Sequence, residues 1–216
     1  MAALTVACVN VGNYLGMGQR YVDTLASMAR RHLPAHDFVC IDESRFRRWW
    51  AKLELFKPGR FTGNVLYFDL DVVISGDLTG LLGCLEWGDF WALNDFAWPL
   101  TRAPKWSMAE RQQVLRADVR RTKAEFKRRL GGWGTCNSSV MLWRAGAGDD
   151  IWTWWSPAAA GRLHGDQNWI TRVMGHRMKL IPPGWAGSYR LGPPGCPITV
   201  YHGDGKPHEV HDPDWY

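Results

Sequence analysis

Val65-Leu66-Tyr67-Phe68-Asp69-Leu70-Asp71 is the stretch on which the fold turns: four continuously apolar residues run straight into two aspartates set one residue apart. Unbroken apolar character, rather than alternation, suits a strand covered on both faces, and such strands belong to the parallel sheets of α/β proteins. Ligands of open α/β sheets bind beyond the carboxyl ends of the strands. Residues i and i+2 of an extended chain share a face, so the sequence predicts that Asp69 and Asp71 point to the same side. Paired hard oxygen donors there suit Mg2+ or Mn2+, bound together with the phosphates of a substrate.

The surroundings of this stretch agree with an α/β chain. Residues 4–10 are apolar and rich in β-formers, and Asn10-Val11-Gly12-Asn13 breaks the run with turn residues. Residues 19–31 carry Val22, Leu25, Met28 and Ala29 at helical spacing until Pro34 stops them, and 37–41 read as a second strand. Strand, helix, strand opens a βαβ unit. Trp49, Leu53 and Phe56 mark a short helix over 49–56, closed by Lys57-Pro58-Gly59. Downstream the pattern predicts a helix over 78–85, a strand over 90–93 and a buried strand over 139–143, the last preceded by the polar Thr135-Cys136-Asn137-Ser138. Helices over 149–155 and 166–174 and strands over 178–181 and 198–201 complete the reading. With 216 residues, no internal repeat and no long linker, residues 1–216 form a single domain.

Hydrophobic residues at 46% and charged residues at 22% exclude a disordered or collagen-like chain. No apolar run approaches the roughly 18 residues of a membrane span, and no basic region precedes the first apolar stretch, so the expected location is cytoplasmic. Five scattered cysteines without a Cys-x-x-Cys pair read as reduced thiols. The net charge of +5 is concentrated in 108–130, where eight basic residues face three acidic ones. Met108, Leu115, Val119, Phe126 and Leu130 recur there at helical spacing, which predicts an amphipathic basic helix that meets an anionic acceptor or lies peripherally on a membrane. Nucleic acid is not expected as a partner, because no recognition motif or interleaved aromatics accompany the charge. The 14 tryptophans offer flat apolar faces for sugars or bases, with Trp133 and Trp185 in glycine-rich loops as the candidates.

A second constellation is Val200-Tyr201-His202-Gly203-Asp204-Gly205-Lys206-Pro207. It supplies a nitrogen ligand, backbone room for a phosphate, and a positive charge to offset it.

With both constellations placed, the chain resembles the glycosyltransferase family 8 (glycogenin-like) enzymes, which have the GT-A fold. The stretch from Val65 through Asp71 to Leu78 looks like their metal-binding strand and the helix that follows. Ala51-Lys52-Leu53-Glu54-Leu55-Phe56 is similar to their lysine-bearing helix, Cys136-Asn137-Ser138-Ser139-Val140-Met141-Leu142 to their Asn-Ser-Gly-Val-Met segment, and Gly165-Asp166-Gln167-Asn168 to their Asp-Gln helix start. The His202 to Pro207 element is similar to their closing His and Lys-Pro element, although Lys206 follows Gly205 at once and Ser139 stands where the family commonly has Gly.

The resemblance implies an α/β, GT-A type, Rossmann-like single domain with a mixed, mostly parallel central sheet. It implies transfer of a sugar from a nucleotide-diphosphate sugar, of the UDP-sugar class, to an acceptor hydroxyl of a glycan or other molecule, with retention by front-face attack. By the same resemblance Asp69, Asp71 and His202 would hold Mn2+ or Mg2+, while Lys52 and Lys206 would add positive charge. Asn10 and Tyr14 would lie near the base and ribose. Asn137, Ser138, Asp166 and Gln167 would hold the donor sugar, with Asp166 and Gln167 at the reacting centre. Phe68-Asp69-Leu70-Asp71-Val72-Val73 also looks like the haloacid dehalogenase-like phosphatases, whose motif usually sits on the first strand. A non-catalytic carbohydrate-binding protein is the third reading.

Overall fold

The computed structural model describes residues 3–94, 136–160, 163, 165–191 and 195–216. The basic segment 108–130 and Trp133 lie outside them.

Strand β1 (Leu4–Val9) leads through a loop into helix α1 (Gly18–His32), which buries Tyr21, Val22, Leu25, Met28 and Ala29 on one face. Arg30, Arg31 and His32 fill its last turn, where positive charge complements the helix dipole. The chain returns as β2 (Asp37–Ile41), parallel to β1, with Cys8 opposite Cys40. A 3-10 helix, Arg48–Phe56, then precedes β3 (Asn64–Phe68), which pairs in parallel with the other side of β1. The predicted helix over 49–56 is therefore present but more tightly wound.

Two corrections follow the aspartates. The three residues Val72, Val73 and Ile74 are not part of a helix but form β4 (Val72–Ile74), and the next helix, again 3-10, spans Thr79–Glu86. The chain also does not stay extended through Asp69 and Asp71. The Val72 amide donates to the Asp69 carbonyl at 3.2 Å, so the aspartates sit in a tight turn.

Strand β5 (Phe90–Asn94) and β6 (Cys136–Arg144) follow, then helices α2 (Asp149–Thr153), α3 (Pro157–Ala160) and α4 (Asp166–Met174). Strand β6 begins at Cys136, so the polar residues Asn137 and Ser138 are inside the sheet and not in a loop before it. Strands β7 (Lys179–Leu180), β8 (Ala186–Ser188) and β9 (Ile198–Val200) complete the set.

Among the described residues six strands form the large sheet, in the order β2-β1-β3-β6-β5-β7. Only β6 among them runs against the others, wedged between β3 and β5. A smaller sheet has the order β4-β9-β8, with β4 and β9 antiparallel through Val72↔Val200.

Period-two alternation assigns each strand's side chains to one of two cores. Leu66 and Phe68 of β3 join α1 and the small sheet on one face. Val65 and Tyr67 join the Arg48–Phe56 helix, α2 and α4 on the other. The second core is dense in aromatics, with the Trp143 ring centroid 5.2 Å from Phe56 and 6.0 Å from Phe90. Among the described residues no helix is long and apolar enough to cross a membrane.

Candidate active site

The turn between β3 and β4 is fixed from both sides. The Asp69 amide extends the β3 ladder by donating to the Ser139 carbonyl at 2.8 Å, and the Asp71 carbonyl accepts from the Tyr201 amide at 3.0 Å. The two carboxylates consequently serve different partners.

Asp69 meets the ammonium of Lys52, whose Nζ is 2.8 Å from Oδ1, and accepts the Tyr67 hydroxyl. The same ammonium donates to Ser138 Oγ at 3.0 Å and stands 3.4 Å from Asp166 Oδ2. Ser138 Oγ donates to Asp166 Oδ2 at 2.6 Å, and the Ser138 amide donates to Gln167 Oε1 at 3.3 Å. Burial works against the Lys52 charge, but Asp166 and then Asp69 outweigh it and hold the ammonium above the ordinary lysine range. Burial and the nearby Asp69 likewise push the Tyr67 phenol well up, so it remains a donor.

Asp71 accepts the Tyr14 hydroxyl at 2.9 Å and pairs with the Lys206 ammonium. Lys206 Nζ also donates to the Tyr201 carbonyl at 3.0 Å. Burial and then the Asp69 charge raise the Asp71 carboxyl above its usual range, against the opposing pull of Lys206 and Tyr14. Burial, followed by Asp71, raises the Tyr14 phenol.

The loop that presents Tyr14 is tightly bound. Asn10 Oδ1 accepts the Tyr14 amide at 3.1 Å, and Asn13 Oδ1 accepts the Gly18 amide at 2.8 Å. A Cβ at Gly18 would come within 2.1 Å of Asn10 Oδ1, so a larger residue there would displace the carboxamide that holds the Tyr14 amide.

Lys52, Asp69, Ser138, Asp166 and Gln167 thus form one connected group, and Tyr14, Asp71 and Lys206 a second. Asn137 turns its carboxamide onto its own strand, accepting the Ser139 amide at 2.8 Å. His202 Nε2 lies 2.6 Å from Ser188 Oγ. Among the described residues no three His, Cys, Asp or Glu side chains are gathered closely enough to cage a metal ion. The set Asp69, Asp71 and His202 is separately partnered here, with lysine ammoniums on both carboxylates.

Tyr67 and Ser188 escaped sequence reasoning. Tyr67 carries a usable signal, since it lies two residues before Asp69 on the same strand face. Trp185, expected to stack on substrate, is half-buried and packs on Gly80, where an added Cβ would meet its ring at 3.1 Å.

No family model and no curated protein matches the amino-acid sequence. Solved structures do match the fold. The chain is similar to the galactosyltransferase LgtC, solved with donor and acceptor sugar analogues, at 14% identity and TM-score 0.58, over 94% of this chain and 88% of that one. It is similar to the glycosyltransferase GlyE of Streptococcus pneumoniae TIGR4 at 15% identity and TM-score 0.56, over 96% of this chain and 56% of that one. The bifunctional glycosyltransferase WbbM matches at 11% identity and TM-score 0.56, over 99% of this chain and 48% of that one. The fold of this chain is the GT-A fold of glycosyltransferases, with the mostly parallel sheet expected from its sequence.

Proposed function

We propose that the chain is a glycosyltransferase that moves a sugar from a uridine-diphosphate sugar to an acceptor hydroxyl, with retention and with Mn2+ or Mg2+ as cofactor. The observation that carries this reading is the convergence of Lys52, Asp166, Ser138, Tyr14 and Lys206 on an Asp-x-Asp turn. A sugar-diphosphate donor brings negative charge and hydroxyls, and this site offers ammoniums, fixed carboxylates and hydroxyl groups for them.

Two carboxylates and a histidine are donor types that a divalent cation accepts, although the three side chains are separately partnered in this structure. Asp71 in particular sits where burial and Asp69 call for positive charge, which Lys206 now supplies. Asp69, Asp71 and His202 would hold the ion, which when bound offsets charge developing on the leaving diphosphate. Lys52 pairs with both Asp69 and Asp166 and holds the two carboxylates in place. Gln167 is anchored through Oε1, which leaves its amide nitrogen to donate to a sugar hydroxyl. Asp166 is tied to Ser138 and Lys52 and an amide is a poor nucleophile, so attack by the acceptor on the departing face is favoured over a covalent intermediate. The basic segment 108–130, outside the described residues, is proposed to meet an anionic acceptor or a membrane surface.

The test is UDP release from a panel of UDP-sugars, with and without Mn2+, beside phosphate release from an aryl phosphate. Metal-dependent UDP release, weakened sharply in D71N and H202A, is expected. Aryl phosphate turnover abolished by D69N and untouched by H202A, without donor binding, would replace this reading with the phosphatase.

A further inference from the structure

Trp49 is a large aromatic residue turned toward solvent beside the candidate site, with 46% of its surface exposed. Its neighbours Trp50, Trp152 and Trp155 pack instead against the second core. Trp49 and Lys52 are three residues apart in a 3-10 helix, where positions i and i+3 eclipse, so the indole lies on the same edge as the ammonium that binds Asp69 and Asp166. The five-membered ring of Trp49 packs on Gly165, where an added Cβ would stand 3.3 Å from Nε1 and 3.4 Å from Cδ1. Gly165 directly precedes Asp166 and Gln167 at the start of α4.

The backbone supports the same placement. Arg48 has a φ of 55°, in the left-handed region that non-glycine residues seldom occupy and that is retained at functional sites more often than elsewhere. Its guanidinium carbon stands over the Trp49 ring, 5.8 Å from the centroid, so hydrogen-bond donors share the space above the aromatic surface. A flat apolar surface with donors close by matches a pyranose ring, which presents C–H groups on its faces and hydroxyls around its rim.

We propose that Trp49 is a stacking platform for a pyranose ring, set against Gly165 at the edge of the site. The inference rests on the reading of the site as one that handles sugars. The ring it carries belongs either to the transferred sugar of the donor or to the acceptor.

Affinities of UDP, UDP-glucose, UDP-galactose, methyl β-glucoside, methyl β-galactoside and lactose are measured by calorimetry for the parent, W49A and W49F. An affinity lower by about tenfold in W49A, equivalent to 1.4 kcal/mol, and largely restored in W49F is the expected result. If UDP-hexoses weaken while UDP does not, the platform holds the transferred sugar; if the glycosides or lactose weaken while UDP-hexoses do not, it holds the acceptor. Melting temperatures should stay close to the parent value, since the residue is exposed. Sugar affinities in W49A within twofold of the parent, or a parent that binds none of these sugars more tightly than it binds UDP alone and none of the glycosides, would overturn the platform. A parent that binds glycosides through Trp49 but no UDP or UDP-hexose would keep the platform and overturn the glycosyltransferase reading instead.

Discussion

Lys52 Nζ stands 3.4 Å from Asp166 Oδ2, so the helix ahead of the Asp-x-Asp turn and the first residue of α4 share one charge. Asp166 is nearly fully buried at 5% exposure, and Asp69 lies on the other side of the same ammonium. Removing that charge leaves two carboxylates without a counter-ion. Lys52→Met should therefore cost about 3 kcal/mol of stability, at the lower end for a broken buried pair because Asp69 keeps some contact with water. Because the Lys52 pKa is raised on folding, its contribution is full below the ordinary lysine value of about 10.4 and is lost only as pH climbs through the higher folded value. Urea unfolding of parent and variant should show a constant gap between about pH 7 and pH 10. A gap that closes within that window would contradict the assignment.

Asp71 behaves in the opposite sense. Its folded pKa is raised above the unfolded carboxylate value, so folding favours the protonated form. The associated stability is present in acid and declines as pH rises through the folded pKa. Asp71→Asn mimics the protonated group, and the variant should melt at or slightly above the parent temperature at pH 7. Donor turnover should meanwhile fall by about a thousandfold, the rate equivalent of several kcal/mol of charge stabilisation. A variant that loses both stability and activity would mean that the Lys206 pair matters more to the fold than to the chemistry.

Three phenols are held protonated by burial and neighbouring carboxylates: Tyr14 beside Asp71, Tyr67 beside Asp69, and Tyr201 beside Asp212. Each should stay silent in a spectrophotometric titration past the ordinary tyrosine value of about 10, and ionise only on unfolding. Since the unfolded chain ionises first, stability should fall as pH rises beyond that value. Tyr67→Phe should remove one silent group and cost about 1.5–3 kcal/mol, the range for a hydrogen bond to a charged partner.

Trp185→Ala should lower the melting temperature and leave the KM values for donor and acceptor unchanged, because its ring is committed to Gly80 and the first core. Trp143→Ala, which empties the centre of the second core, should cost about 3–5 kcal/mol. Denaturant midpoints with unchanged slope would verify both.

Residues 65–68 and 166–174 were legible because each pattern had one strong interpretation: continuous apolar residues for a doubly covered strand, and four-residue spacing behind an acidic start for a helix. Lys52, Ser138, Asp166 and Gln167, far apart in the sequence, are brought into contact by the fold, which no local spacing announces. Strand β4 is not legible from pattern, because three residues are too few for either period to declare itself, and the resemblance points to a helix there instead. The same brevity hid β8, in a stretch of glycine and proline. The change of direction at Asp69 was invisible for a different reason: apolar residues flank the aspartates on both sides, and no glycine or proline punctuates the turn.

That turn has a mechanical consequence. Asp69 is hydrogen-bonded through its amide to the large sheet, whereas Asp71 is hydrogen-bonded through its carbonyl to Tyr201, the residue after β9, the central strand of the small one. Two side chains separated by a single residue are thus anchored in different sheets, which pack against each other in the first core. A ligand that bridged the two carboxylates would therefore reach groups of both sheets at once: Lys52 and Asp166 beside Asp69, and Tyr201 and Lys206 beside Asp71.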